Sequence, residues 1–153
     1  MDEQSSAAEG QPPTAPMRKW GSALDVGFQV LPNALVRHLC RSGATPIDFV
    51  VLLNLLMAWW DPERMPYPRV STIASRMNVS PRTVQRSLGA LRRAGFIRWD
   101  RGHVGTIRRR QFDLSPLAER AKAWAENDRA LGAQSAGPLR RGFRRPKQER
   151  ARV

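Results

Sequence analysis

Residues 70–99, VSTIASRMNVSPRTVQRSLGALRRAGFIRW, decide how this chain folds. Their pattern predicts two short helices joined by a tight turn, with a strand directly after. Ser80 followed by Pro81 is a strong helix start. The serine hydroxyl accepts from a free N–H of the first turn, and proline takes the first helical position, where no N–H is needed. Val84, Leu88 and Leu91 then recur at i, i+4 and i+7 as one apolar stripe. Arg82, Gln85, Arg86, Gly89 and Arg93 occupy the opposite stripe. Gly95 closes the helix as a left-handed residue, which lets Phe96 and Ile97 fold back on the apolar side. In the helix before it, Ile73, Ala74 and Met77 form a short inner face, with Ala74 small enough for a close crossing. Asn78 tolerates the left-handed backbone of a sharp turn, and Val79 plugs that turn from inside. A wet helix face with arginines, a glutamine and a small gap has the shape and donors to lie in a DNA major groove.

The downstream residues predict a β-hairpin wing over 96–114. Phe96–Trp99 reads as its first strand and Thr106–Leu114 as its second, with DRGHVG (100–105) as a glycine-punctuated tip. Arg101 and His103 then sit at the tip, where a wing reaches a minor groove or the backbone. Arg98, Arg108 and Arg110 complete the basic set of the wing. Alternation keeps Arg108, Arg109 and Arg110 from all facing one way.

The order of residues from Pro68 to Ile97 resembles the helix-turn-helix core of bacterial winged-helix proteins. The resemblance is carried by Pro68, Ile73-Ala74, Asn78-Val79-Ser80, Arg82-Thr83-Val84, Arg86, Leu88, Leu91 and Gly95-Phe96-Ile97. Such proteins include transcriptional regulators and the initiators and primosome-type proteins of plasmids and phages. The resemblance implies a mainly α fold with a small β-wing, flanked by further helices and disordered termini. It also implies sequence-specific binding of double-stranded DNA, as a transcriptional regulator of a bacterium or mobile element. The alternative is a replication-initiation or primosome accessory protein on origin DNA. Two positions depart from the pattern: Arg69 stands where a capping serine is usual, leaving Ser71 to cap late, and Asn78 stands where glycine is usual.

Charge supports the same partner. Of 153 residues, 26 are Lys or Arg and 13 are Asp or Glu. Residues 1–68 hold 5 basic against 7 acidic side chains, net −2, while residues 69–153 hold 21 against 6, net +15. All the excess positive charge lies from the helix-turn-helix onward, which suits a polyanion. On this basis Arg82, Gln85 and Arg86 are the candidate base readers. Ser80, Thr83, Arg93, Arg76 and Arg69 are the candidate backbone contacts. No catalytic triad, carboxylate pair or phosphate-cradling glycine loop is present, so the chain is expected to be no enzyme and to need no cofactor. With one cysteine and two histidines no metal cluster can be assembled, and Cys40 is expected to be a small buried hydrophobe. The longest apolar run, Phe49–Trp60, is too short to cross a bilayer, so a cytoplasmic, nucleoid-associated protein is expected.

The flanking regions complete the expected layout. Residues 1–16 form a polar, proline-containing tail expected to be disordered, and the domain spans 17–131. Val26–Leu31 alternates as a short strand, and Pro32 opens a helix ending at Gly43. Thr45-Pro46-Ile47-Asp48 starts a helix that runs to Trp60 and is apolar nearly all round, as a buried central helix or half of a dimer interface. Trp59 and Trp60 are expected in the core. Ser115-Pro116 starts a further helix over 115–131, able to pack on the domain or pair in a homodimer. Residues 132–153 are an arginine-rich tail carrying Arg140, Arg141, Arg144 and Arg145, expected to be disordered and to meet phosphates or the acidic surface of another protein.

Overall fold

The computed structural model describes residues 15–134. Helix α1 (Ala15–Trp20) and a 3₁₀ turn lead into α2 (Asn33–His38), which is followed by a second 3₁₀ turn. Helices α3 (Pro46–Met57), α4 (Val70–Met77) and α5 (Pro81–Arg93) come next. Strands β1 (Arg98–Val104) and β2 (Ile107–Asp113) pair antiparallel, and α6 (Ser115–Gln134) closes the order. The basic tail positions Arg140, Arg141, Arg144 and Arg145 lie outside the described residues, as does the N-terminal tail up to residue 14.

The core forms where α3, α4 and α5 meet. Val84, Leu88 and Leu91 of α5 are buried against Ile73 and Ala74 of α4 and Val51, Leu52 and Leu55 of α3. Each such Val, Leu or Ile side chain contributes about 1.5–3 kcal/mol by leaving water. Phe96, Ile97, Phe112 and Leu114 extend this core under the wing.

One terminating device recurs at three helix ends. After α5, Gly95 takes φ 73°, its N–H donates to Arg92 O, and Phe96 N–H donates to Leu91 O. After α4, Asn78 takes φ 52°, its N–H donates to Ser75 O, and Val79 N–H donates to Ala74 O. After the turn that follows α2, Gly43 (φ 97°) and Ala44 repeat the pattern on Cys40 and Leu39. Each Schellman ending satisfies free carbonyls and drops the next residue onto the apolar face. Phe96 and Ala44 are buried as a result, and Val79 packs against the core.

A polar contact joins α3 to α5. Thr45 and Asp48 form a capping box, with Asp48 N–H donating to Thr45 Oγ1 and Thr45 N–H to Asp48 Oδ2. Asp48, only 5 % exposed, also accepts from Ser87 Oγ of α5 at 2.5 Å. Helix α6 is tied in separately: His38 Nε2 lies 2.7 Å from Asp128 Oδ1, and the His38 ring lies 5.6 Å from Trp124, which also meets Phe96.

Several sequence expectations shift. Val26–Leu31 forms no strand: the hairpin is complete with two strands, Gly27 takes φ 101°, and Val26 is 94 % exposed. The expected N-terminal tail overruns helix α1 by two residues, because the helix starts at Ala15. Pro32 precedes α2 as its cap residue, so the helix opens at Asn33. Helix α3 stops at Met57, leaving Trp59 half-buried against the core but Trp60 75 % exposed. Nor is α3 buried all round, since Ile47, Val50 and Met57 are exposed. Cys40 is exposed because Leu39 takes the inward position of that turn. Helix α4 begins at Val70 behind an extended, uncapped Arg69, so Ser71 lies inside the helix and caps nothing. Helix α6 begins at Ser115, as expected, but continues to Gln134, three residues beyond the expected end.

Replacing Asp48 by Ala removes the acceptor for both Thr45 N–H and Ser87 Oγ, and is expected to cost about 2–3 kcal/mol in urea unfolding. Ser87→Ala, which leaves the capping box whole, is expected to cost about half of that.

Candidate nucleic-acid interface

Helix α5 owes its orientation to its own two faces. With Val84, Leu88 and Leu91 buried, Arg82, Gln85 and Arg86 are left on the solvent side, and all three are exposed. Among the described residues no ion pair holds Arg82, Arg86 or Arg93, so their charges are uncompensated. Ser80 caps the helix by accepting from Thr83 N–H, and its hydroxyl also lies 2.9 Å from Thr83 Oγ1. Both hydroxyls therefore sit at the positive end of α5, already bonded to each other. Arg93 folds across Gly89: a methyl group there would lie 3.3 Å from its guanidinium nitrogen. The gap expected on this face is partly filled by Arg93. Arg76 of α4 is also exposed.

The hairpin register differs from the expected one. Phe96 and Ile97 belong to the core, β1 starts at Arg98, and the loop is Gly105-Thr106, with Gly105 at φ 61°. Glycine at the first loop position suits a two-residue hairpin. Arg101 and His103 thus lie within β1 instead of at the tip. They sit directly opposite Arg110 and Arg108, and strand alternation puts these four on the face that carries Trp99 and Phe112 at its base. Arg98 and Arg109 fall on the other face. Phe112 N–H donates to Pro66 O at 2.8 Å, which draws the 61–69 loop alongside β2. Between that loop and the hairpin runs an open groove of about 480 Å³ lined by Tyr67, Arg69, Arg101, Arg108 and Arg110.

Arg98 is not free. It donates to Asp113 Oδ2 through Nε at 3.1 Å and lies 3.0 Å from it through a terminal nitrogen. Ser115 donates to the other oxygen of Asp113 through its N–H and its hydroxyl. Burial alone would raise the Asp113 pKa, but the Ser115 bonds and the Arg98 guanidinium outweigh it and hold the carboxyl below its usual range. Arg98 is therefore tied to Asp113 across the base of the wing, and Asp113 in turn fastens the wing to the start of α6.

Arg92, Arg120 and the role of Trp99 escaped the sequence reading. Arg92, on the last turn of α5, stacks 4.4 Å from the Trp99 ring, and Arg110 stacks on the same ring at 4.9 Å. Arg120 of α6 donates to Ala94 O at the end of α5 and lies 4.6 Å over Phe96. These contacts join residues on different elements, and no local spacing announces them. An aromatic residue one step into a basic strand was the available signal for Trp99.

Helices α4 and α5, their left-handed turn and the β1–β2 hairpin make up a winged helix-turn-helix. Residues 45–97 match a family described as a helix-turn-helix domain. That span runs from the cap of α3 to the last core residue before the wing, and includes Asp48 and Ser87. No curated protein matches the chain. Among solved structures it is similar to an M. tuberculosis transcriptional regulator crystallised in complex with DNA. The identity is 21% over 78% of this chain and 81% of that one, with a TM-score of 0.36, a likeness too distant to inform the site. Among the described residues no helix is long and apolar enough to cross a membrane, and no group of three metal-ligating side chains occurs.

Because the Asp113 pKa is lowered by folding, its contribution is present above the ordinary carboxylate range and lost as pH falls through it. The stability gap between wild type and Asp113→Asn is expected to be largest near neutral pH and to close below about pH 4, as followed by thermal unfolding across pH. Gly89→Ala is expected to stabilise the helix by about 0.5–1 kcal/mol in urea unfolding.

Proposed function

We propose that this protein binds double-stranded DNA in a sequence-specific manner as a transcriptional regulator. The observation that carries the reading is the outer face of α5, where Arg82, Gln85 and Arg86 are exposed together and, among the described residues, no carboxylate pairs with the arginines. Arginine can form paired bonds to guanine O6 and N7, and glutamine to adenine N6 and N7. The wing face with Arg101, His103, Arg108 and Arg110 adjoins α5 and supplies contacts to the flanking backbone, as do Arg69 and Arg76. The family match over residues 45–97 supports a helix-turn-helix reader. A homodimer on an inverted repeat, with half-sites about one helical turn apart, would use this domain twice. The basic tail, outside the described residues, would add phosphate contacts or meet a second protein. Such a regulator works at the nucleoid, in the cytoplasm of a bacterium.

Arg82→Ala/Arg86→Ala is expected to abolish selection of the cognate site from a random duplex pool. Weak, salt-sensitive binding to any duplex should remain, because the other basic side chains still neutralise phosphates. Retention of normal site selection by the double variant would remove α5 as the reader.

A further inference from the structure

Helix α5 and the hairpin both reach the ring of Trp99. Trp99 is half-buried, fixed edge-on against Phe112 with ring centroids 6.1 Å apart, and Phe112 is anchored by its bond to Pro66. Arg92 arrives at this ring from α5 and Arg110 from β2. Arg101 stands directly across the ladder from Arg110 and on the same face. Among the described residues none of the three guanidiniums has an ion-pair partner. The neighbouring carboxylates are turned elsewhere: Asp100 points from the other face of the hairpin and accepts from Arg101 N–H, and Asp113 is taken by Arg98 and Ser115.

We propose that Arg92, Arg101 and Arg110 around Trp99 form a site for a phosphodiester anion, and that their mutual repulsion in the free protein is relieved when the anion binds. The proposal deepens the DNA reading above and rests on it for the identity of the ligand. Like charges directly opposite each other across a sheet oppose its folding. Stacking on an aromatic face recovers part of that cost while also pinning the cations in place. Burial, then Arg101, then Arg92 lower the Arg110 pKa, so holding its charge here works against the folded state. An anion between the guanidiniums reverses the sign. Because one cation rides on α5 and two on the wing, the bound phosphate also locks helix and hairpin in their relative position.

A stack that serves only the fold and a site that serves an anion predict opposite changes. Arg110→Met keeps an apolar stem against Trp99 without the charge, and Arg101→Gln removes the opposing charge from an exposed side chain. Thermal unfolding at low salt, duplex binding across a salt series and unfolding with tripolyphosphate are measured on both full-length variants. Each variant is expected to melt about 2–4 °C higher than wild type. Duplex affinity should fall about tenfold, with the salt dependence of log K shallower by about one. Tripolyphosphate should raise the wild-type melting temperature and lose that effect in Arg110→Met. Unchanged duplex affinity in both variants would overturn the site while leaving the DNA reading intact. A lower melting temperature alongside weaker binding would also overturn it, since the stack would then be structural. Stabilisation of wild type by tripolyphosphate without any duplex binding would keep the anion site and remove DNA as its ligand. If Arg110→Met does not fold, Arg101→Gln carries the same comparison.

Discussion

The burial of Val84, Leu88 and Leu91 between α3 and α4 is the constraint on which everything else depends. A helix with one face wholly in the core has no freedom to roll, so its polar stripe must point to solvent at a defined angle. The bond from Ser87 to the buried Asp48 reinforces that orientation with a directional contact, where apolar packing alone tolerates small rotations. The same aspartate caps α3, so the orientation of α5 is referred to the start of the central helix instead of to a loop.

The rest of the architecture holds the two ends of α5. At its start, Ser80 and the Asn78 turn fix the approach of α4. At its end, three devices meet: the Gly95 turn, the Arg120 donor to Ala94 O, and the stack of Arg92 on Trp99. Helix α6 contributes through Arg120, and is itself held to α2 by His38 and Asp128 and to the wing by Asp113 and Ser115. The flanking helix therefore does more than cover the domain, because it satisfies a carbonyl where the helix dipole is negative.

Three carboxylates of this half of the chain are engaged in side-chain pairs. Asp113 holds Arg98, Asp128 holds His38, and Glu119 holds Lys122. Neutralisation is thus concentrated at the base of the wing and along α6, and the outer faces of α5 and the hairpin keep their positive charge. A surface that leaves arginines together without counter-charges costs the free protein some stability, and a polyanion offsets that cost.

Local chemistry determined much of this protein. Ser80-Pro81, Thr45-Pro46, Asn78 and Gly95 set helix starts and stops through caps and backbone conformations that involve only near neighbours in the chain. The i, i+4, i+7 stripe set which face of α5 is buried, and with it the exposure of Arg82, Gln85 and Arg86. Tertiary packing decided what periodicity cannot encode. Val26–Leu31 alternates like a strand but has no partner strand among the described residues, Trp60 is apolar but falls beyond the end of α3, and Cys40 yields the inner position to Leu39. The wing register moved because Phe96 and Ile97 gain more by entering the core than by pairing. Arg98, read as a contact for DNA, found a carboxylate fifteen residues away. The meeting of Arg92, Trp99 and Arg110 depends on how a helix and a hairpin cross, and that geometry exists only once the core has closed.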